Sequence, residues 1–531
     1  ASQLPVAHDK NNKRNDMNKK ILSRLIFGAS LLLLAACTKD EATDPDALPE
    51  GKYPLQIASV AMSVESSEQP WTRVSEKTDD NSSVWETGDV FYVKFDGYDD
   101  VGKYRIKNDG TVEAVTPIYW HSTTQSGKVT AWYISPSATT NGTVDLSNQS
   151  KGLAYVLRAE ATTAYSSSPV ALNFKHQLSK VRVYLRGTAY EGNAMGITMN
   201  SYPASCTVAN GEITASGTAN TIAMHPTIAN GQPCFEANVP TGTLTKGNAF
   251  TVTLGGGTSV QVSLNDNMNP TAANLHTVTL RLQKNGTTEV DLSKQAETYE
   301  ITNEGIYYFT QSGSNTNNYG IKVNAENTKV YLDGVNINVS SGNGIEVAKT
   351  ATIYVQSNNN ITASYGAGIS VAENATVTIT SAERNSNKLT AIGGDAGAGI
   401  GGYSSNCGNI YIKNVTVNAY GSNDSEPIVF SPGIGGSREN KCGFIIIDNA
   451  IVYACGTESP QRSGAAIGAG IGVNALGTYS YITIKNNSEV NVRRGNQYSN
   501  YIGHSGAGSI LQVTTPEIDA KVESSKVVKL N

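Results

Sequence analysis

The sequence predicts an all-β chain: two antiparallel sandwiches in tandem, then a parallel β-helix. Three observations carry that prediction. Short alternating runs with no helical period fill residues 53–284, separated by Gly, Asn, Pro and Asp. Beyond them a Gly-Ile or Ile-Gly phrase returns at Ile321, Ile345, Ile369, Ile400, Ile434, Ile471 and Ile502, at spacings of 24, 24, 31, 34, 37 and 31 residues. A strand-only repeat of that period is the signature of a solenoid. Finally, only 16% of the 531 residues are charged and 51 are glycine, which suits an extracellular β scaffold better than a helical cytosolic enzyme.

Residues 1–36 read as an upstream extension and a secretory signal. Met17 is followed by Lys19, Lys20 and Arg24, then by an apolar run from Leu25 to Ala36. At about 12 residues that run is too short to cross a bilayer. It ends Leu34-Ala35-Ala36-Cys37, the pattern of a bacterial lipobox, so Cys37 is the expected lipidation site. Thr38-Lys39-Asp40-Glu41 resembles the Lys-acidic-acidic tag that sends Bacteroidales lipoproteins to the outer face of the outer membrane. Residues 37–52 then form a polar tether. Without residues 1–36, 34 Lys and Arg face 43 Asp and Glu, a net charge near −9. No basic patch with interleaved aromatics appears, so nucleic acid is excluded as a partner.

From residue 53 to 284 the alternating runs include Val90–Phe95, Val129–Ile134, Val181–Leu185, Phe250–Leu254 and Val278–Leu282. The length is large for one sandwich, so two are expected, split near residues 165–180. The four tryptophans, Trp71, Trp85, Trp120 and Trp132, are expected to anchor the first core. Several phrases here resemble the fimbrillin family, the pilin-like surface proteins of Bacteroidales. They are Thr72-Arg73-Val74, Trp85-Glu86-Thr87-Gly88-Asp89-Val90, Ala131-Trp132-Tyr133-Ile134 and Asn173-Phe174-Lys175-His176-Gln177-Leu178-Ser179-Lys180-Val181. The resemblance implies a lipidated precursor, cleavage after an arginine near the first strand, and strand exchange with other fimbrial subunits. Arg73 is the candidate cleavage site. Stalk subunits of the family end after the second sandwich. This chain runs on for some 240 residues, which suits a tip or accessory subunit.

Residues 285–298 read as a linker, 299–512 as the β-helix, and 513–531 as a C-terminal cap or donor-strand tail. Each coil is expected to hold two strands, a Gly-Ile strand and a strand such as Val330-Tyr331-Leu332, Ile353-Tyr354-Val355, Val377-Thr378-Ile379 or Ile410-Tyr411-Ile412, with the first residues of successive phrases aligned. Inward Ile and Val would stack in ladders, with alternate residues facing water. An offset of 35 places Cys407 over Cys442, and Asn414, Asn449 and Asn486 or Asn487 at equivalent turns suited to αL geometry. Ile301–Phe309 and Tyr331–Ile337 resemble the opening of right-handed parallel β-helix carbohydrate-binding domains of secreted bacterial proteins. The later Gly-Ile-Gly-Gly coils resemble repeats of surface adhesins. Cys407 and Cys442 fit either a disulfide or stacked thiols, and Cys206 with Cys234 is a second candidate pair.

No catalytic residue emerges. Gly397-Ala398-Gly399-Ile400-Gly401-Gly402 matches a dinucleotide pattern but is followed by a strand, so it reads as a turn. The acidic residues of the central coils, Asp395, Asp424, Glu426, Glu439, Asp448 and Glu458, occur singly, without the facing pair that glycoside hydrolysis needs. The six histidines lack metal spacing, and neither metal nor cofactor is implied. Tyr403, Tyr420, Tyr453 and Tyr479 lie near the loop-bearing coils among Asn and Ser, and are the candidate ligand-binding residues. The expected role is non-enzymatic. It is a surface adhesin or fimbrial subunit, anchored in the outer membrane by its lipid and binding glycan or host-matrix ligands. The alternatives are a free glycan-binding lipoprotein of polysaccharide uptake or, less favoured by the residues, a polysaccharide lyase.

Overall fold

The computed structural model describes residues 53–62, 75–76, 83–121, 126–135, 142–165, 169–189, 194–313, 316–385, 387–395, 397–422, 431–437, 440–457, 465–469, 481–494, 501–504 and 520–530. Among the described residues the chain is all-β, with a 3-10 turn at Leu292–Lys294 as the one helical element. They divide into two compact units. In the smaller, Pro54 bridges Tyr119, and the rings of Tyr53 and Trp120 pack on Tyr165 at 5.1 and 6.0 Å. The larger unit holds the sandwiches and the repeat stack.

The first sandwich is built on a seven-stranded sheet whose edge strand, Ile57–Met62, runs parallel to Val170–His176. The central strand Ser126–Ser135 is buried on both sides over Thr130–Ile134, since Trp132 faces one layer and Tyr133 the other. Trp85 and Phe91 pack edge-on against Phe174 at 5.0 and 5.6 Å on the Tyr133 side, and lie 5.9 Å apart, tilted. On the Trp132 side the cover is a three-stranded sheet of Gly142–Asp145 with the hairpin Ser205–Ala209 and Glu212–Ser216. Cys206 and Val208 of that hairpin share a core with Tyr92, Trp132 and Val144. The expected division near 165–180 is therefore not clean in sequence. The sheets change there, but a hairpin from beyond it returns to the first core.

The change of sheet falls inside the phrase Phe174–Val181. Phe174, His176 and Leu178 are buried in the first sandwich, and Ser179–Arg186 then starts a four-stranded sheet of the second. Burial, with the nearby Lys180 charge, pulls the His176 imidazole from 6.5 down to about 3, so it folds neutral. Lys180 and Arg182 both reach the buried Glu236 on the neighbouring strand, at 2.9 and 2.6 Å. Opposite this sheet, Ala194–Pro203 and Gly247–Leu254 carry Ile197, Met199, Phe250 and Val252 into the second core.

Beyond the sandwiches the strands lie in three parallel sheets of nine, eight and seven strands. Each coil visits a glycine face (Ile345–Val347, for example), then a long face (Ala351–Val355), then a tyrosine face (Asn359–Ala363). On the glycine face Ile321, Ile345, Ile369, Ile400, Ile434, Ile467 and Ile502 pair in register, every one buried. Four sequence expectations need correction. The sixth rung is Ile467, not Ile471, because Ala466-Ile467-Gly468 repeats the phrase one short loop earlier. The residue next to Ile434 inside the coil, Gly435, has φ +129°, and a Cβ there would strike the carbonyl of Gly468 in the coil beyond. A third strand per coil went unseen; its inward residues, such as Val417 and Val452, form the tyrosine-face ladder. On the long face Ile353 pairs with Ile379 rather than Val377, a slip of two residues that leaves the same side chains inward. Residues 285–298 are no linker: Thr287–Asp291 pairs with Ile306–Thr310 as the first long-face strand, and Asp291 accepts a hydrogen bond from Ser312 Oγ at 2.6 Å. At the far end Lys521–Val522 and Lys526–Lys529 supply the last rungs of two sheets.

The turn asparagines behave as their spacing predicts. Asn414, Asn449, Asn486 and Asn487 have φ of +47° to +60°, and Asn449 Nδ2 donates to Asn414 Oδ1 at 3.0 Å.

The second sandwich abuts the outer side of the long face. Asp333 accepts from Tyr308 Oη at 2.8 Å and Arg281 Nε at 3.1 Å, with Arg186 Nε 3.7 Å away. Gly187 N donates to Gln356 Oε1 at 2.9 Å, and Asn387 Oδ1 accepts from Arg186 and Gln232, each at 3.2 Å. Beneath this seam the rings of Tyr308, Tyr331 and Tyr354 stack at 6.1 and 4.3 Å.

Two outcomes follow for stability. Glu236→Gln strands two buried cations and should lower unfolding free energy by about 3–5 kcal/mol in urea titration; a loss under about 1 kcal/mol would refute the pairing's role. Below pH 6.5 the unfolded chain protonates His176 while the folded chain does not, until about pH 3. The urea midpoint should therefore fall from pH 6.5 to 4, and His176→Gln should flatten that slope by up to about 1.4 kcal/mol per pH unit.

Candidate functional site

The tyrosine face presents three consecutive strands, Thr416–Tyr420, Ile451–Cys455 and Glu489–Arg493, paired in register. Period-two alternation sends Val417, Ala419, Val452, Ala454, Val490 and Val492 inward, all fully buried. The opposite residues must therefore face out. Tyr453 stands between Asn418 and Asn491 in its row; Tyr420 stands beside Cys455, with Arg493 one strand further. The two tyrosine rings lie 5.7 Å apart, tilted by 48°. Burial, then the proximity of Tyr453 and Cys455, raises the pKa of the Tyr420 phenol, so it stays a neutral donor. A part-exposed aromatic pair flanked by carboxamides can stack on the apolar face of a sugar ring while the amides meet its hydroxyls.

Of the candidate residues named from sequence, Tyr420 and Tyr453 come together. Tyr403 sits apart, in the turn after the glycine face, bridged to Gly397. Cys37, Arg73 and Tyr479 lie outside the described residues, as do Asp424, Glu426, Glu439 and Glu458. Sequence reasoning missed a second aromatic row on the long face. There Tyr411 meets Phe444 at 4.9 Å and Phe444 stacks on Tyr481 at 5.4 Å, Tyr481 being 48% exposed. The signal was present, since Phe444 and Tyr481 each immediately precede the isoleucine that opens their rung.

No group of three or more His, Cys, Asp and Glu that could hold a metal occurs among the described residues. Asp448 is engaged in a turn, accepting from Asn486 Nδ2 at 2.6 Å. The glycine-rich stretch 397–402 leads into the strand Asn409–Lys413, with no helix end to meet a phosphate. Cys407 and Cys442 bridge in register inside the stack, both buried and both free thiols. Burial, and the neighbouring Cys442, push the Cys407 pKa well up. Cys206 and Cys234 do not pair: Cys206 packs in the first sandwich, whereas Cys234 lies on a strand of the second.

No helix among the described residues is long and apolar enough to cross a membrane. No curated protein matches the chain. Solved structures with some likeness include a candidate cell adhesion protein of Bacteroides uniformis, at 19% identity over 44% of this chain and 94% of that one, TM-score 0.32. Another, of Bacteroides thetaiotaomicron, shares 20% identity over 43% and 92%, TM-score 0.28. A fimbrial protein of Bacteroides ovatus shares 11% over 44% and 50%, TM-score 0.24. Such likenesses say nothing of ligand or activity. A family model is more telling: residues 72–295, spanning both sandwiches except the edge strand Ile57–Met62, and the first strand of the stack, match the family described as Fimbrillin-like.

Proposed function

We propose that this chain is a cell-surface adhesin or fimbrial subunit that binds glycan or matrix ligands through its repeat stack. In this reading Cys37 carries the lipid that holds the chain at the outer membrane, and the stack is a right-handed parallel β-helix. The fimbrillin-like match over residues 72–295 supports the surface and subunit role. The observation that carries the binding role is the outward Tyr420–Tyr453 pair, with Tyr453 set between Asn418 and Asn491. Its action is recognition, not bond-making. Processing at Arg73 and strand exchange with other subunits belong to the same proposal.

The test is a glycan and host-matrix binding screen with the full chain. A ligand should bind, and Tyr453→Ala or Tyr420→Ala should weaken it by about tenfold. Because both side chains face out, each substitution should cost about 1 kcal/mol of stability or less, against about 2–5 kcal/mol for the inward Ile434→Ala. Binding untouched by both tyrosine variants would remove this face from the proposal.

A further inference from the structure

A groove of ≈ 460 Å³ lies where the long face turns into the tyrosine face near the end of the stack. Arg384 lines it, carried by the turn between the strands Thr376–Thr380 and Lys388–Ile392. That turn is far longer than its counterparts at Asn414 and Asn449, and it is pinned. Asn414 Nδ2 donates to the carbonyls of Ser381 and Ala382 at 3.0 and 3.1 Å, and Thr416 Oγ1 to that of Arg384 at 2.9 Å. The guanidinium is thus held over the later coils. Its Nε is buried and has no hydrogen-bond acceptor. Lys526 on the last rung, in register with Glu489, lines it too. Among the described residues neither Arg384 nor Lys526 forms an ion pair. Asn487 and Ser524 add an amide and a hydroxyl, joined through Asn487 N to Ser524 O at 2.8 Å. Glu489 is the one carboxylate of the lining, and it accepts from Asn491 Nδ2 at 3.4 Å.

Two cations against one carboxylate make the groove positive in a chain whose net charge is −5. It also adjoins the candidate binding face. Glu489, Asn491 and Arg493 alternate outward along one strand, and Asn491 is the residue in register with Tyr453. Moving from the groove to the tyrosine row takes two residues, about 7 Å. We infer that this groove is an anion-recognising subsite, and that the ligand of the tyrosine face is an acidic glycan bearing carboxylate or sulfate. The planar guanidinium of Arg384 matches either oxyanion through its terminal nitrogens. Lys526 adds a point charge, and Asn487 with Ser524 would meet neighbouring hydroxyls. This inference rests on the reading of the tyrosine face as a glycan surface.

The experiment is calorimetric titration of the full chain with oligogalacturonate, with chondroitin sulfate fragments and with neutral cello-oligosaccharides. At least one acidic probe should bind about tenfold tighter than the neutral ones. Arg384→Gln and Lys526→Gln should each erase most of that margin, Arg384→Lys should retain part of it, and added salt should shrink it. Circular dichroism and the melting midpoint report whether each variant folds. Equal binding of acidic and neutral probes, or an acidic preference that survives both Gln variants, overturns the subsite while the tyrosine face stands. Acidic binding lost with Arg384→Gln but untouched by Tyr453→Ala keeps the subsite and overturns the tyrosine reading. Silence toward every probe overturns both.

Discussion

Everything in the C-terminal half depends on one constraint: each inward aliphatic must sit over its counterpart in the coil before. Ile345 buries itself only because Ile321 and Ile369 close its two sides. A coil has no core of its own, so burial and backbone pairing are gained together across neighbours. The same constraint makes the outer surface regular. Once Val452 and Ala454 are inward, Tyr453 has no choice but to point out, at the height set by Asn418 and Asn491.

Charge is used differently at the junctions. Within the second sandwich Lys180, Arg182 and Glu236 are withdrawn from water together. Between that sandwich and the stack Asp333 gathers Tyr308, Arg281 and Arg186. Desolvating such groups is costly, and the geometry that offsets the cost admits few alternatives. An apolar seam would tolerate sliding by a rung, whereas Asp333 accepts its partners in one position. The joint therefore fixes which coil meets the sandwich.

Much of this was legible in the sequence because the repeat phrase is set by backbone geometry. A buried isoleucine followed by a residue with φ near +130° leaves the same trace at Ile434 and Ile467. The asparagine turns were legible for the same reason. The third strand was not, because the second inward residue of each rung shrinks to Ala391, Ala419 or Ala454, which weakens the contrast that marks alternation. Thr287–Asp291 was hidden by its outward threonine and glutamate, polar as a linker would be; only the pairing with Ile306–Thr310 gives them a sheet. Of the candidate site, the meeting of Tyr420 with Tyr453 could be read from alternation once the strands were aligned. The approach of Arg384 to Lys526 could not, since it spans several coils through a turn of irregular length.

The glycine face has a consequence for how such a protein can diversify. At Gly435 and Gly468 any side chain would run into the carbonyl of the next coil, so those positions are closed to replacement. Long-face rungs that meet the sandwich are closed by Asp333 and its partners. Novelty is left with the corners, where a coil can lengthen without disturbing the rung above or below. Coils grow from 24 residues between Ile345 and Ile369 to 35 between Ile467 and Ile502. Within this one chain the stem keeps its rungs while the corners differ in length, so the steric limits on change are set by place.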